Sequence, residues 1–135
     1  MVSNEDHHDL FKAGGVPTGG VYMGVGTDQN YVLAGWYRPD IMVLLDFDQM
    51  VVDVHQIYRA FFLAAKDAAE FRALWEPKNE AKAVAVLEAA YQDPKLRGAV
   101  MRAYRVSHHS VTARLRKIDM TYKPTGVLWF LNDPA

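Results

Sequence analysis

Two short apolar runs, joined by a glycine bend and closed off by a proline, constrain this chain more than any other feature. Val21-Tyr22-Met23 opens the first run and Ile41-Met42-Val43-Leu44-Leu45 forms the second. Between them Gly24 and Gly26 can turn the chain, and Asp28 stands where a helix can be capped. Pro39 ends that helix, because the residue before proline is pushed out of the helical region. The segment therefore reads as strand, helix to Tyr37, strand, and a right-handed crossover makes the two strands parallel. Their continuous apolar character suits a parallel sheet covered on both faces.

The remainder is mostly helical by its periodicity. Met50, Val54, Ile57, Phe61 and Ala65 recur at helical spacing, with Val51, Tyr58 and Phe62 widening the stripe. A short helix is expected over Asp67–Trp75 and another over Glu80–Tyr91. Asp93-Pro94 then supplies a cap and a first-turn proline for a long helix with Leu96, Val100, Tyr104, Val111, Leu115 and Ile118 on one face. Val127–Leu131 reads as a third strand, and Asn132-Asp133-Pro134 as the opening of a further helix. The 135 residues divide into a polar and glycine-rich lead (1–20), a βαβα unit (21–65), and a helical segment with the third strand (66–135). The lead is expected to carry a helical turn over Asp9–Ala13 and a loop containing Gly14, Gly15 and Pro17. The fold class is α/β, Rossmann-like with three α/β/α layers. Three strands are too few for a doubly wound sheet, so the chain is expected to be the N-terminal portion of a longer domain with added helices, or to be completed by a partner.

The glycine bend is also the one place where chemistry is legible. Asp46 follows the second strand, 22 positions after Gly24. A close-approach loop ahead of a helix, with an acid at the next strand tip, is the layout of a nucleotide-type site. Asp48 can assist that acid or cap the following helix. The polar run Thr27-Asp28-Gln29-Asn30 can reach a ligand, or can cap the helix and bond neighbouring loops.

Val21 to Asp48 resembles the first βαβ unit of class I S-adenosylmethionine-dependent methyltransferases. The resemblance implies that Gly24 and Gly26 are loop glycines beneath the cofactor and that Asp46 holds its ribose; Thr27, Asp28, Gln29, Asn30 and Asp48 stand beside them as candidate cofactor contacts. Tyr22 stands where that family has an acid, and Asp28 where it has its third loop glycine. A wider pattern, Ser3-Asn4-Glu5 with Gly20–Tyr31, Asp46-Phe47-Asp48 and Tyr58-Arg59-Ala60-Phe61-Phe62, is similar to an uncharacterised bacterial methyltransferase-like family whose members are longer. The implied function is S-adenosylmethionine binding, with methyl transfer to an unknown acceptor. The competing class is a non-catalytic Rossmann-like interaction module, or a homo-oligomeric scaffold, which Tyr22 and Asp28 favour.

Composition closes off other classes. There is no cysteine, which excludes disulfides, thiolate metal sites and cysteine nucleophiles. No glycine elbow surrounds Ser107 or Ser110, and no Gly-Lys-Ser/Thr loop occurs. No apolar run approaches the roughly 18 residues of a membrane span, and the first residues do not form a signal peptide, so a cytoplasmic protein is expected. His7-His8 and His108-His109 have no metal-motif spacing, and no metal is expected. His55 is a candidate base or a partly buried surface histidine. Residues 1–94 hold 14 acidic and 7 basic side chains, whereas 95–135 hold 8 basic and 2 acidic. That polarity can draw an anionic partner or let two halves of the fold attract each other. The bases of Lys95–Lys117 suit a solvated helix face better than nucleic acid, because no tryptophan is interleaved with them.

Overall fold

A computed structural model of the chain describes residues 2–12, 19–127 and 129–131. Strand β1 (Val21–Val25) leads into helix α1 (Gln29–Tyr37), strand β2 (Ile41–Leu45) and helix α2 (Gln49–Ala64). Three more helices follow, α3 (Ala68–Trp75), α4 (Glu80–Ala90) and α5 (Pro94–Tyr122), with short 3₁₀ turns at His8–Phe11, Pro77–Asn79 and Lys123–Thr125. The protein is thus mixed α/β, rich in helix, with two parallel strands among the described residues.

Local chemistry explains most boundaries. Arg38 takes a left-handed conformation that closes α1 just before Pro39. Asp48, Asp67 and Asp93 each sit extended at a helix start and accept a backbone N–H, from Met50, Glu70 and Leu96 respectively. Glu70 reaches back to the Lys66 N–H at 3.0 Å, which completes a reciprocal cap on α3. Asp28 occupies the corresponding place before α1 but makes no capping bond there. Its carboxylate is directed elsewhere, as shown below.

β1 and β2 pair in parallel, Val21 opposite Ile41 through Val25 opposite Leu45. Alternation then separates two faces. The inward face carries Tyr22, Gly24, Met42 and Leu44. The outward face carries Val21, Met23, Val25, Ile41 and Leu45, each between 51% and 66% exposed. The expectation of a sheet covered on both faces therefore holds on one side only among the described residues.

The core lies among the helices. Ile57, Tyr58 and Phe61 of α2 meet Phe71 and Trp75 of α3, Leu87 of α4, and Val100 and Tyr104 of α5. Four of the residues expected along α5, Val100, Tyr104, Val111 and Ile118, are at most 3% exposed, whereas Leu96 at its first turn is open. No described helix is long and apolar enough to cross a membrane.

The third strand expected over Val127–Leu131 does not form in its described residues, 127 and 129–131, which are coil and turn. Side chains of α3 and α5 hold the segment instead. The Leu131 carbonyl accepts from the Arg72 guanidinium at 3.1 Å, and the Trp129 indole N–H donates to Asp119 at 3.0 Å. Trp129 is buried, and Phe130 packs on α1 where Gly35 leaves room for it. The loop containing Gly14, Gly15 and Pro17 and the helix opening at 132–134 lie outside the described residues, as does position 128.

Candidate functional site

The parallel register brings the bend after β1 and the acid after β2 to neighbouring strand tips. Gly26 has a φ of +89°, a conformation open to glycine at little cost, and its N–H donates to Asp46 Oδ2 at 3.2 Å. Asp46 Oδ1 accepts the Asp48 N–H at 2.8 Å. Two backbone amides thus fix the carboxylate, while a carboxylate offers about four acceptor sites. Asp46 is half-buried and keeps acceptor capacity toward solvent.

The other loop residues named from the sequence are engaged in building the loop itself. Asn30 is buried; its Nδ2 donates to the carbonyls of Val25 at 3.1 Å and Thr27 at 3.2 Å, and its Oδ1 accepts the Tyr22 hydroxyl at 2.8 Å. A Cβ at Gly24 would lie 2.0 Å from Asn30 Oδ1. Gly24, Tyr22 and Asn30 are therefore one steric and hydrogen-bonding unit. Gln29 straddles the bend, donating to the Val25 carbonyl at 2.9 Å and accepting from the Thr27 N–H at 3.1 Å. Asp48 caps α2 through Met50 at 2.8 Å.

Asp28 is buried and forms an ion pair with Arg114 Nε at 2.8 Å. Its second oxygen accepts the Ser3 N–H at 2.6 Å and the buried Thr27 hydroxyl at 3.1 Å. Arg114 extends the network to Asp6 at 2.7 Å and to the Glu5 carbonyl. Lys117 also holds Asp6, and the two bases, Lys117 foremost, bring the Asp6 carboxyl down to about 2. The Ser3-Asn4-Glu5 and Asp28-Gln29-Asn30 patterns, far apart in sequence, thus belong to one latch between the N-terminal segment, the loop and α5. The acidic and basic parts of the chain attract each other here.

His55 stands beside the bend. Its Nε2 lies 2.7 Å from the Gly26 carbonyl, and since a carbonyl only accepts, Nε2 carries the proton. Nδ1 then accepts the Tyr31 hydroxyl at 2.7 Å. Burial lowers the His55 pKa, outweighing the Gly26 bond that raises it. Burial likewise raises Tyr31. With both ring nitrogens engaged, His55 ties the loop to α1 and is not an available base.

A cleft of about 450 Å³ opens next to this pair, between the inward face of β2 and α2. Met42 and Leu44 form one wall; Val52, Phe62 and Leu63 form the other. Arg59 at its edge is exposed and has no ion pair among the described residues. Arg59 belongs to the Tyr58–Phe62 pattern read from the sequence, but nothing in the sequence signalled the cleft or that Arg114 faces inward. The histidine pairs do not come together. His8 is buried against the Tyr122 hydroxyl at 3.2 Å, and His108 donates to the Tyr104 carbonyl at 3.0 Å. No group of three metal-ligating side chains occurs among the described residues.

The family described as Domain of unknown function (DUF7790) matches residues 1–135, and the chain belongs to it. No curated protein matches the chain.

Proposed function

We propose that the domain binds a nucleoside-type ligand, S-adenosylmethionine or a relative, at the tips of β1 and β2. The observation that carries this reading is the Gly26–Asp46 juncture. A carboxylate oriented by two backbone amides, with acceptor sites left over, suits the hydroxyl pair of a ribose. The loop beneath it is held rigid by Asn30 and Gln29, so little ordering would be required on binding. Of the eight residues read from the sequence, Asp46 fits the ligand and Gly26 orients it through its N–H; Thr27, Asp28, Gln29, Asn30 and Asp48 support the fold, and Gly24 makes room for Asn30. In this reading the βαβ unit with α2 is part of a three-layer Rossmann-like domain, and the outward face of the sheet is where a second helical layer would lie. When bound, S-adenosylmethionine supplies a reactive methyl group, and the protein would contribute positioning. No described residue is assigned as a base for an acceptor.

Calorimetric titration with S-adenosylmethionine and S-adenosylhomocysteine tests the reading. Saturable heat that disappears in Asp46→Ala supports it. Absence of heat with both ligands near about 1 mM removes it.

The outward sheet face favours a second reading, a non-catalytic module that associates with another copy of itself. Five aliphatic side chains are exposed there without a charge among them, so two such faces can meet without like-charge repulsion. Sedimentation of the wild type and of Met23→Lys separates this reading from the first. A dimer that the substitution dissociates favours it, and a monomer at all concentrations dismisses it.

A further inference from the structure

We infer that the cleft between β2 and α2 is a second binding site, for a small amphipathic molecule with an apolar body and one anionic group. The inference does not depend on the nucleoside reading, since the cleft lies along the inward face of β2 rather than at its tip.

Three observations carry it. The first is size and character. About 450 Å³, walled by Met42, Leu44, Val52, Phe62 and Leu63, falls in the range of small-molecule sites, which are mostly apolar with few polar groups. The second is charge. Among the described residues Arg59 is the one charged side chain lining the cleft, no carboxylate lines it, and Arg59 has no ion pair. Three other guanidinium groups are paired, Arg72 with Asp119, Arg114 with Asp28 and Asp6, and Arg116 with Glu76, and none of the remaining arginines lines the cleft. A lone guanidinium at the rim of an apolar cleft selects an anion on an apolar ligand, and its planar fork matches a carboxylate. The third is rigidity. Tyr31 and His55 close one end and are locked to each other and to Gly26. Gln56 is fixed by the Tyr91 hydroxyl at 3.1 Å. This polar end of the cleft is thus built before any ligand arrives.

Decanoate and decyltrimethylammonium, which share an apolar chain and differ in charge, are suitable probes below their micelle concentrations. Methyl resonances of Leu44, Val52 and Leu63 report the cleft, and those of Val21, Val25 and Leu45 report the outward sheet face. Decanoate is expected to shift the cleft methyls saturably and to bind about tenfold more tightly than the cation. Arg59→Gln, an exposed change that leaves the fold intact, should bring the two probes to parity, and Arg105→Gln on α5 should not. Equal affinity of both probes for the wild type overturns the inference. So do shifts confined to the outward-face methyls, which would mean capture by the exposed sheet, or cleft shifts that grow with protein concentration alone, which would mean a second copy fills the cleft. Identical shifts with S-adenosylhomocysteine would overturn it too, by making the cleft part of the nucleoside site, and would leave the nucleoside reading standing.

Discussion

Asp28 closes the bend after β1, Asp46 faces that bend from the tip of β2, and the two differ in nearly every physical respect. Asp28 is dry, 2% exposed, and saturated by a guanidinium, an amide and a hydroxyl. Asp46 is half-buried and, among the described residues, is held by two backbone amides and no cation. Both are named from the sequence as candidate cofactor contacts. The contrast teaches that a loop acid becomes a structural anchor when a buried cation is delivered to it from elsewhere in the chain, here from Arg114, 86 positions away. An acid to which no cation is delivered, and which two backbone amides orient, keeps acceptor sites unused.

The contrast breaks most sharply at Arg114. Arg114→Met leaves Asp28 buried without its counter-charge and releases Asp6 and the Glu5 carbonyl. The expected loss is about 3–5 kcal/mol of stability, read by urea denaturation. A loss under about 1 kcal/mol would mean that the pair is not desolvated in solution. Asp46→Ala should cost only about 1 kcal/mol, because solvent can replace its partners at the strand tip.

The next largest effect belongs to the loop packing between the two acids. Gly24→Ala forces Asn30 Oδ1 away from an added methyl and is expected to cost about 1–3 kcal/mol. Gly24→Ala and Asn30→Ala share that clash, so their double mutant should be more stable than the sum of the singles predicts. Strict additivity would disprove the coupling.

Acidification sharpens the comparison more gently. His8 and His55 both have pKa values lowered below the ordinary 6.5, chiefly by burial. Each takes up a proton less readily in the folded state than in the unfolded one, so near and below 6.5 the unfolded chain binds more protons and stability falls with falling pH. Melting temperature should therefore decline from about pH 7.5 to about pH 5, and less steeply in His55→Gln. The Asp6 carboxyl, held at about 2, keeps its contribution through that range and loses it only on further acidification. A flat profile between those two pH values would contradict the burial of both histidines.

Much of the fold was legible because its signals are local. The glycine bend, Pro39 and the two apolar runs place β1, α1 and β2, and the 3.6-residue periodicity from Met50 and from Pro94 places α2 and α5. What was not legible depends on distant partners. Asp28 reads as a cap because its position is right, yet Ser3 and Arg114 take its carboxylate. Arg114 reads as one more base on a solvated helix, although it is turned inward. Val127–Leu131 has strand composition, but Arg72 and Asp119 of two helices claim its polar groups. The same limit applies to the site. Gly26 and Asp46 could be paired from spacing, whereas the uses of Asn30 and Tyr22 could not, since neither residue type declares which of its neighbours it will bond.

A titration of the ¹⁵N-labelled protein with S-adenosylhomocysteine, following the amides of Gly26 and Asp48, tests the strand-tip site most directly. The account predicts that these two amides shift saturably, that Asp46→Ala abolishes the change, and that the Asn30 side-chain amide stays in place. Unmoved Gly26 and Asp48 resonances at about 1 mM ligand, in a protein whose spectrum is otherwise folded, would contradict it.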